Sequence, residues 1–413
     1  MRFFRFALCL ALGLGLALLP SRSASAQDKD FFMYSGTYTG FKSVHNSLPV
    51  GPGQSHSKGI YVSRFNAATG DISEPQLAAE IINPSFITIA PNHRFLYAVI
   101  EDPTSVGPPL DHASYVSAFA IDPKSGKLRL LNTLPSGGTS TCFISTDKTG
   151  HFIFMAHFGS GSISVMRIRE DGSLGEQTSF MQHIGHSVFL PVQASAHPHS
   201  VIASPDNRYV IVSDLGQDRI FVYNFDEKTG LLSPPTPSFV TVAPGGGPRH
   251  FIFDPVGKFG YQLGEMSGAI DVFSWDAAAA TLSHVQTAHF SPIPNFTGDN
   301  HSAEIEISPD GKFLYESNRR THEDGTRGPD TIGVFAIDPV KGTLTEVQQS
   351  PTGGIQPRSF ALDPTGSFLL SANEATNNVF VYKVDPSTGK LTPTGKSSMI
   401  DTPVCIKFVP IKP

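Results

Sequence analysis

The sequence predicts an all-β fold, a seven-bladed β-propeller, and three observations carry that prediction. A four-part unit of about 50 residues recurs along the chain. Every copy joins alternating apolar strands through a turn of the Ser-Pro-Asp-Gly kind. The two chain ends hold complementary fragments of one further copy.

Each part of the unit has a local reason. It opens with an alternating apolar strand, mostly preceded by Pro, which turns at a Pro/Asp/Gly cluster where Pro presets φ and Gly accepts φ > 0. The turn and the aromatic-rich second strand appear at residues 91–97, 147–152, 204–209, 254–259, 308–313 and 363–368. A third strand of the Ile-x-Val-Phe kind follows at 60–62, 115–121, 163–165, 220–223, 270–273, 332–337 and 379–382. It usually ends in a Gly-x-Leu turn, as in Gly126-Lys127-Leu128 and Gly389-Lys390-Leu391. Residues 403–409 are a lone first strand and residues 31–37 a second strand. Their pairing would complete a seventh blade and fasten the ring without leaving a free inner edge.

The unit around Pro248 shows the pattern most clearly. Period-2 alternation puts Arg249, Phe251 and Phe253 on one face, with His250 and Ile252 on the other. The turn Asp254-Pro255-Val256-Gly257 returns the chain antiparallel, so Arg249 and Glu265 are expected to meet at one rim.

Composition bounds the partners. The chain of 413 residues opens with Arg2 and Arg5, an apolar run over 6–19 and Ala24-Ser25-Ala26. This reads as a signal peptide over 1–26, leaving a single propeller domain over 27–413 and a periplasmic or secreted address. Removing three of 30 Lys+Arg and none of 36 Asp+Glu leaves 27 − 36 = −9 with His neutral. A net-acidic chain without basic runs argues against nucleic acid and anionic membranes as partners. Cys142 and Cys405 remain after cleavage, two blades apart, and are expected to be unbridged. A monomer is expected.

The repeat also serves as a ruler. The residue after the first-strand Pro position is Ser85, Cys142, His199, Arg249, Ala303, Arg358 and Val404 in turn. Six residues beyond the second-strand aromatic stand Glu101, Phe158, Leu215, Glu265, Arg319 and Glu374. Folding needs no such variety, so the ruler marks a site on a symmetric scaffold. His199, Arg249, Glu265 and Arg319 are the catalytic candidates. Arg358, His250, Asp214 and Asn318, at or beside ruler positions, are assigned to substrate binding. His199 or a tuned Glu265 could act as base, and guanidiniums could hold an anion and stabilise an oxyanion. Against this stands an Arg249–Glu265 ion pair that merely locks a hairpin. His183, His186, His197 and His199 lack an acidic or Cys partner at ligand spacing, so no metal is assigned and they read as hydrogen-bonded loop histidines. Glu304 and Glu306 share an inner-strand face, near Arg319 or facing water, and Asp218-Arg219 reads as a structural pair. Insertions at 41–58, 102–113, 179–197, 284–301 and 320–330 should crowd the mouths of the ring.

Several stretches resemble one family over essentially the whole mature chain. They include Ala196-His197-Pro198-His199-Ser200, residues 214–220, Gly247-Pro248-Arg249-His250, Gly264-Glu265, Ser317-Asn318-Arg319 and Gln356-Pro357-Arg358-Ser359-Phe360. These are similar to the seven-bladed lactonase family, which includes propeller-type 6-phosphogluconolactonases and fungal carboxymuconate cyclases. The resemblance implies an active site of a His, two Arg and a Glu at one channel mouth, which falls on His199, Arg249, Arg319 and Glu265. It implies a small-molecule lactone substrate and no cofactor. With an export signal, a gluconolactone-like substrate is expected rather than a cytoplasmic phosphorylated one. A carboxymuconate-type cycloisomerase and a non-catalytic ligand- or protein-binding propeller are the other readings.

Overall fold

The computed structural model describes residues 30–39, 55–101, 114–234 and 239–412. Residues 1–26, read from the sequence as a signal peptide, the 102–113 insertion and most of the 41–58 insertion lie outside them.

All regular elements among the described residues are strands, arranged as seven antiparallel sheets. Five sheets have four strands. Two have five, because the outermost strand is broken into two short pieces. Each inner strand packs against the next around the ring. Pro403–Pro410 packs against Ile87–Ile89 on one side and Pro357–Leu362 on the other. The same strand pairs antiparallel with Asp30–Thr37, from Phe31↔Pro410 to Gly36↔Cys405, so the termini close the seventh blade as the split repeat predicts. Counting from the blade that begins at Ile87–Ile89, this closing blade is the seventh.

The core lies between blades. Phe259, Tyr261 and Leu263 of the fourth blade pack on Leu314, Phe335 and Leu344 of the fifth, all buried. The Gly-x-Leu turn has a specific task here. Gly342 holds φ 72°, and a Cβ on it would stand 2.4 Å from Phe259 Cδ1 of the preceding blade. Only glycine allows both. Its carbonyl accepts a hydrogen bond from Tyr261 Oη at 3.1 Å. Tyr34–Gly126, Tyr97–Gly172 and Tyr315–Gly389 repeat this clasp between other neighbouring blades. Asp254 secures the turn itself by accepting from the backbone N–H groups of Lys258 and Phe259 at 2.7 Å.

Strict alternation fails at one point in every inner strand that begins with Pro. In Pro248–Phe253, Pro248 faces Gly264 but His250 faces Leu263, so Arg249 is the extra residue of a β-bulge. His199, Arg358 and Val404 are bulged in the same way, and Cys142 is skipped by its partner strand likewise. A bulge re-aims side chains. Arg249 therefore does not keep the face of Phe251 and Phe253: its Nη1 comes 3.2 Å from His250 Nε2. Cys142 and Cys405 are buried and unbridged.

Candidate active site

Both ruler positions converge on one cavity of about 250 Å³ at a mouth of the central channel. From the bulged positions come Cys142, His199 and Arg358. From the second-strand ends come Glu101, Phe158, Leu215, Glu265 and Arg319.

Glu265 is the hub. Its Oε2 accepts from Arg249 Nε at 2.9 Å and its Oε1 from Arg319 Nη2 at 3.0 Å. His199 Nε2 lies 3.8 Å from Oε2 and His301 Nδ1 4.0 Å from Oε1. Burial alone would raise the Glu265 pKa, but the guanidiniums of Arg319 and Arg249 outweigh it and hold the carboxyl at about 2. Glu265 is thus an anion at neutral pH and a poor proton acceptor. Arg249 is buried and its pKa falls to about 10, chiefly through desolvation, with Glu265 opposing. It stays cationic at neutral pH.

The imidazole of His199 is nine-tenths buried or more, and burial first, then Arg249, His250 and Arg358, hold its pKa well below 6.5. It is neutral at pH 7, with Nδ1 buried and lacking a hydrogen-bond partner among the described residues. Arg319 spends Nε on the His301 carbonyl and Nη2 on Glu265 and the Ser302 carbonyl. Its buried Nη1 has no partner among the described residues, so one donor of a fixed guanidinium remains to be used. Arg358 lies over the Tyr38 ring at 5.5 Å, and Tyr38 Oη donates to Glu101 at 2.8 Å. Burial opposes the charge on Arg358, but Tyr38, Glu101 and Glu374 more than compensate and keep it protonated.

His250 sits deeper, against Phe86 and Phe143, and does not line this cavity. Its Nε2 faces Arg249 Nη1, which can only donate, so the proton of the neutral ring is on Nδ1, donated to Glu304 at 2.8 Å. Desolvation and Arg249 bring the His250 pKa to about 4 in spite of Glu304. His250 therefore buttresses Arg249, and the expected substrate contact is replaced by this support.

Asp214 and Asn318 are not brought to the cavity. Asp214 is buried and accepts from His183 Nδ1, the backbone N–H groups of His197 and Gly216, and Gln217 Nε2. Asn318 is bonded to Asn300, Ser302 and Glu316. Each stands one residue before a ruler position, and strand alternation turns it to the other face. Asp218 does not pair with Arg219. It accepts from Ser187, Gln193 and the backbone of Gly245 and Gly247, stapling loops together. The loop histidines are satisfied individually: His183 by Asp214 and Tyr223, His197 by the Phe158 carbonyl. Among the described residues no cluster of His, Cys, Asp or Glu could hold a metal ion.

Sequence reasoning placed Glu101 on the ruler without assigning it, and missed Tyr38, His301, Asp299 and Gln356. Asp299 and His301 come from an insertion segment, where the repeat gives no register. Gln356 stands just before a first-strand Pro, and Tyr38 holds the ruler position of the closing blade, six residues beyond Phe32, to which the ruler was not extended.

The sequence profile "Lactonase, 7-bladed beta-propeller" matches residues 32–408. The chain belongs to this family of lactone hydrolases. It is 36% identical over 338 residues to a 6-phosphogluconolactonase of Formosa agariphila, covering 81% of this chain and 90% of that one. The 6-phosphogluconolactonase of Bacillus subtilis is 33% identical, with 92% and 98% covered. Among solved structures, a periplasmic gluconolactonase of Pseudomonas aeruginosa superposes with TM-score 0.81 at 31% identity, covering 93% of this chain and all of that one.

Proposed function

We propose that this chain hydrolyses an unphosphorylated sugar lactone outside the inner membrane, with His199 as general base. The observation that carries the reading is that neutral His199, ionised Glu265 and the Arg319 guanidinium line one cavity, while buried Arg249, which does not line it, holds Glu265 at 2.9 Å. Charge supports a substrate without phosphate. Arg249, Arg319, Arg358 and the neighbouring Arg327 are matched by Glu101, Glu265, Glu374 and Asp299. No surplus of positive charge remains for a phosphate monoester of about −1.5 to −2. The n-region, apolar run and small-residue site of 1–26, and similarity to a periplasmic gluconolactonase, support export.

In this mechanism water attacks the lactone carbonyl carbon while His199 Nε2 takes its proton. Negative charge moves to the acyl oxygen, where Arg319 Nη1 offers its unused donor. That charge offsets the guanidiniums that depress His199, so the imidazole gains basicity in the transition state rather than before it. Glu265, 3.8 Å away, stabilises the imidazolium. The ring C–O bond then breaks and the leaving alkoxide takes the proton back, giving a hydroxy acid.

The test is a pH-stat assay with glucono-δ-lactone and its 6-phosphate, corrected for spontaneous opening. The unphosphorylated lactone should show the higher kcat/KM, and His199→Gln should lower kcat about a thousandfold. A preference for the phosphorylated lactone, or an active His199→Gln, contradicts the proposal.

A further inference from the structure

The cavity is built from two unlike walls. At the symmetry-equivalent second-strand ends, the first, fourth, fifth and sixth blades carry Glu101, Glu265, Arg319 and Glu374, whereas the second and third carry Phe158 and Leu215. Folding makes no distinction among these positions, so the split belongs to the site. The apolar side is extended by Met266, which lies with Leu215 against Gly247, and by Phe189 and Val192 from the segment between the second and third blades. None of these side chains can donate to a substrate hydroxyl, and only the Met266 thioether could accept from one, weakly. The same segment exposes Ile184, Val188 and Leu190, at 86%, 68% and 67%, and Val188 lies beside Gly245 of the cavity wall.

This segment is anchored. Ser187 and Gln193 donate to Asp218, Gln193 also donates to the Leu215 carbonyl, and His183 is held between Asp214 and Tyr223. A polyhydroxylated ring filling the whole cavity would turn some hydroxyls to a wall that cannot replace their water.

We propose that the cavity also takes lactones bearing an apolar alkyl or aryl substituent. The substituent lies along Phe158, Leu215, Met266, Phe189 and Val192, and the ring carbonyl faces His199 and Arg319. The inference rests on the lactone-hydrolase reading for its orientation, but its test does not depend on turnover. Calorimetry would follow binding of non-hydrolysable δ-lactams with 6-alkyl chains of increasing length, beside a pH-stat assay of the matching δ-lactones. Kd should fall about fourfold per methylene until the chain clears the rim. Val192→Asp, at a partly exposed position, should flatten that series. A Kd indifferent to chain length, or a series equally steep in Val192→Asp, overturns the inference whether or not glucono-δ-lactone is turned over. A steep lactam series with no lactone hydrolysed would instead sink the hydrolase reading and leave the apolar wall standing.

Discussion

The two ends of each blade obey different rules. At the turn end the contacts recur from blade to blade. Asp147, Asp254 and Asp363 each accept from the N–H of the aromatic that starts the second strand, and Ser204 and Ser308 do the same by hydroxyl. Tyr–Gly clasps tie neighbouring blades. At the bulge end, equivalent positions hold Cys142, His199, Arg249, Arg358 and Val404. Uniform contacts make a frame that any blade can share. Varied ones make a single asymmetric cavity, and the bulge supplies the means, because an extra residue can turn toward the mouth without disturbing the ladder below it.

Breaking the frame should have the largest effect. Deleting residues 403–413 removes the inner strand of the closing blade, uncovering Phe31, Met33 and Ile406's neighbours in that core. The truncated chain should show no cooperative melt by calorimetry; a melt like that of the full chain would contradict ring closure by this strand.

Disturbing the bulge end should slow the reaction instead. Arg249→Ala is expected to lower kcat/KM on glucono-δ-lactone about a hundredfold, and Arg249→Lys should recover only part, since an ammonium cannot serve Glu265 and His250 with one planar fork. Glu265 keeps Arg319 in either variant, so the protein should still fold. Full activity in Arg249→Lys would reduce Arg249 to a point charge.

The smallest effect belongs to the frame again. Tyr261→Phe deletes one clasp and should cost about 1 kcal/mol of stability in denaturant titration, with kcat/KM unchanged. A rate loss there would erase the distinction between the two ends.

The frame was legible in the sequence because its turn chemistry is local: Asp-Pro-x-Gly and Thr-Gly-x-Leu state their own backbone conformation, and the split repeat states the closure. The ruler marked His199, Arg249, Glu265 and Arg319, which the fold brings beside one another, because a repeat fixes equivalence without coordinates. It misplaced Asp214 and Asn318 by treating a residue beside a ruler position as facing the same way. The bulge that brings Arg249 against His250 was not legible, since no residue type announces it. His301 was hidden because it lies in an insertion where the repeat lapses, whereas Tyr38 was missed because the ruler was not carried into the split seventh copy, where it stands six residues beyond Phe32.

The central claim is that His199 works as a neutral base whose proton affinity is set by burial and by the guanidiniums around it. The pH dependence of kcat/KM on glucono-δ-lactone, in the parent and in Arg249→Ala, tests this most directly. Because the pKa of His199 is held below 6.5, the parent should be fully active at pH 6.5 and lose activity only as the pH falls through the depressed value. Arg249→Ala removes one cause of that depression, so its acid limb should move upward, toward 6.5. A parent limb centred at or above 6.5, or one that stays in place when Arg249 is removed, would contradict the account.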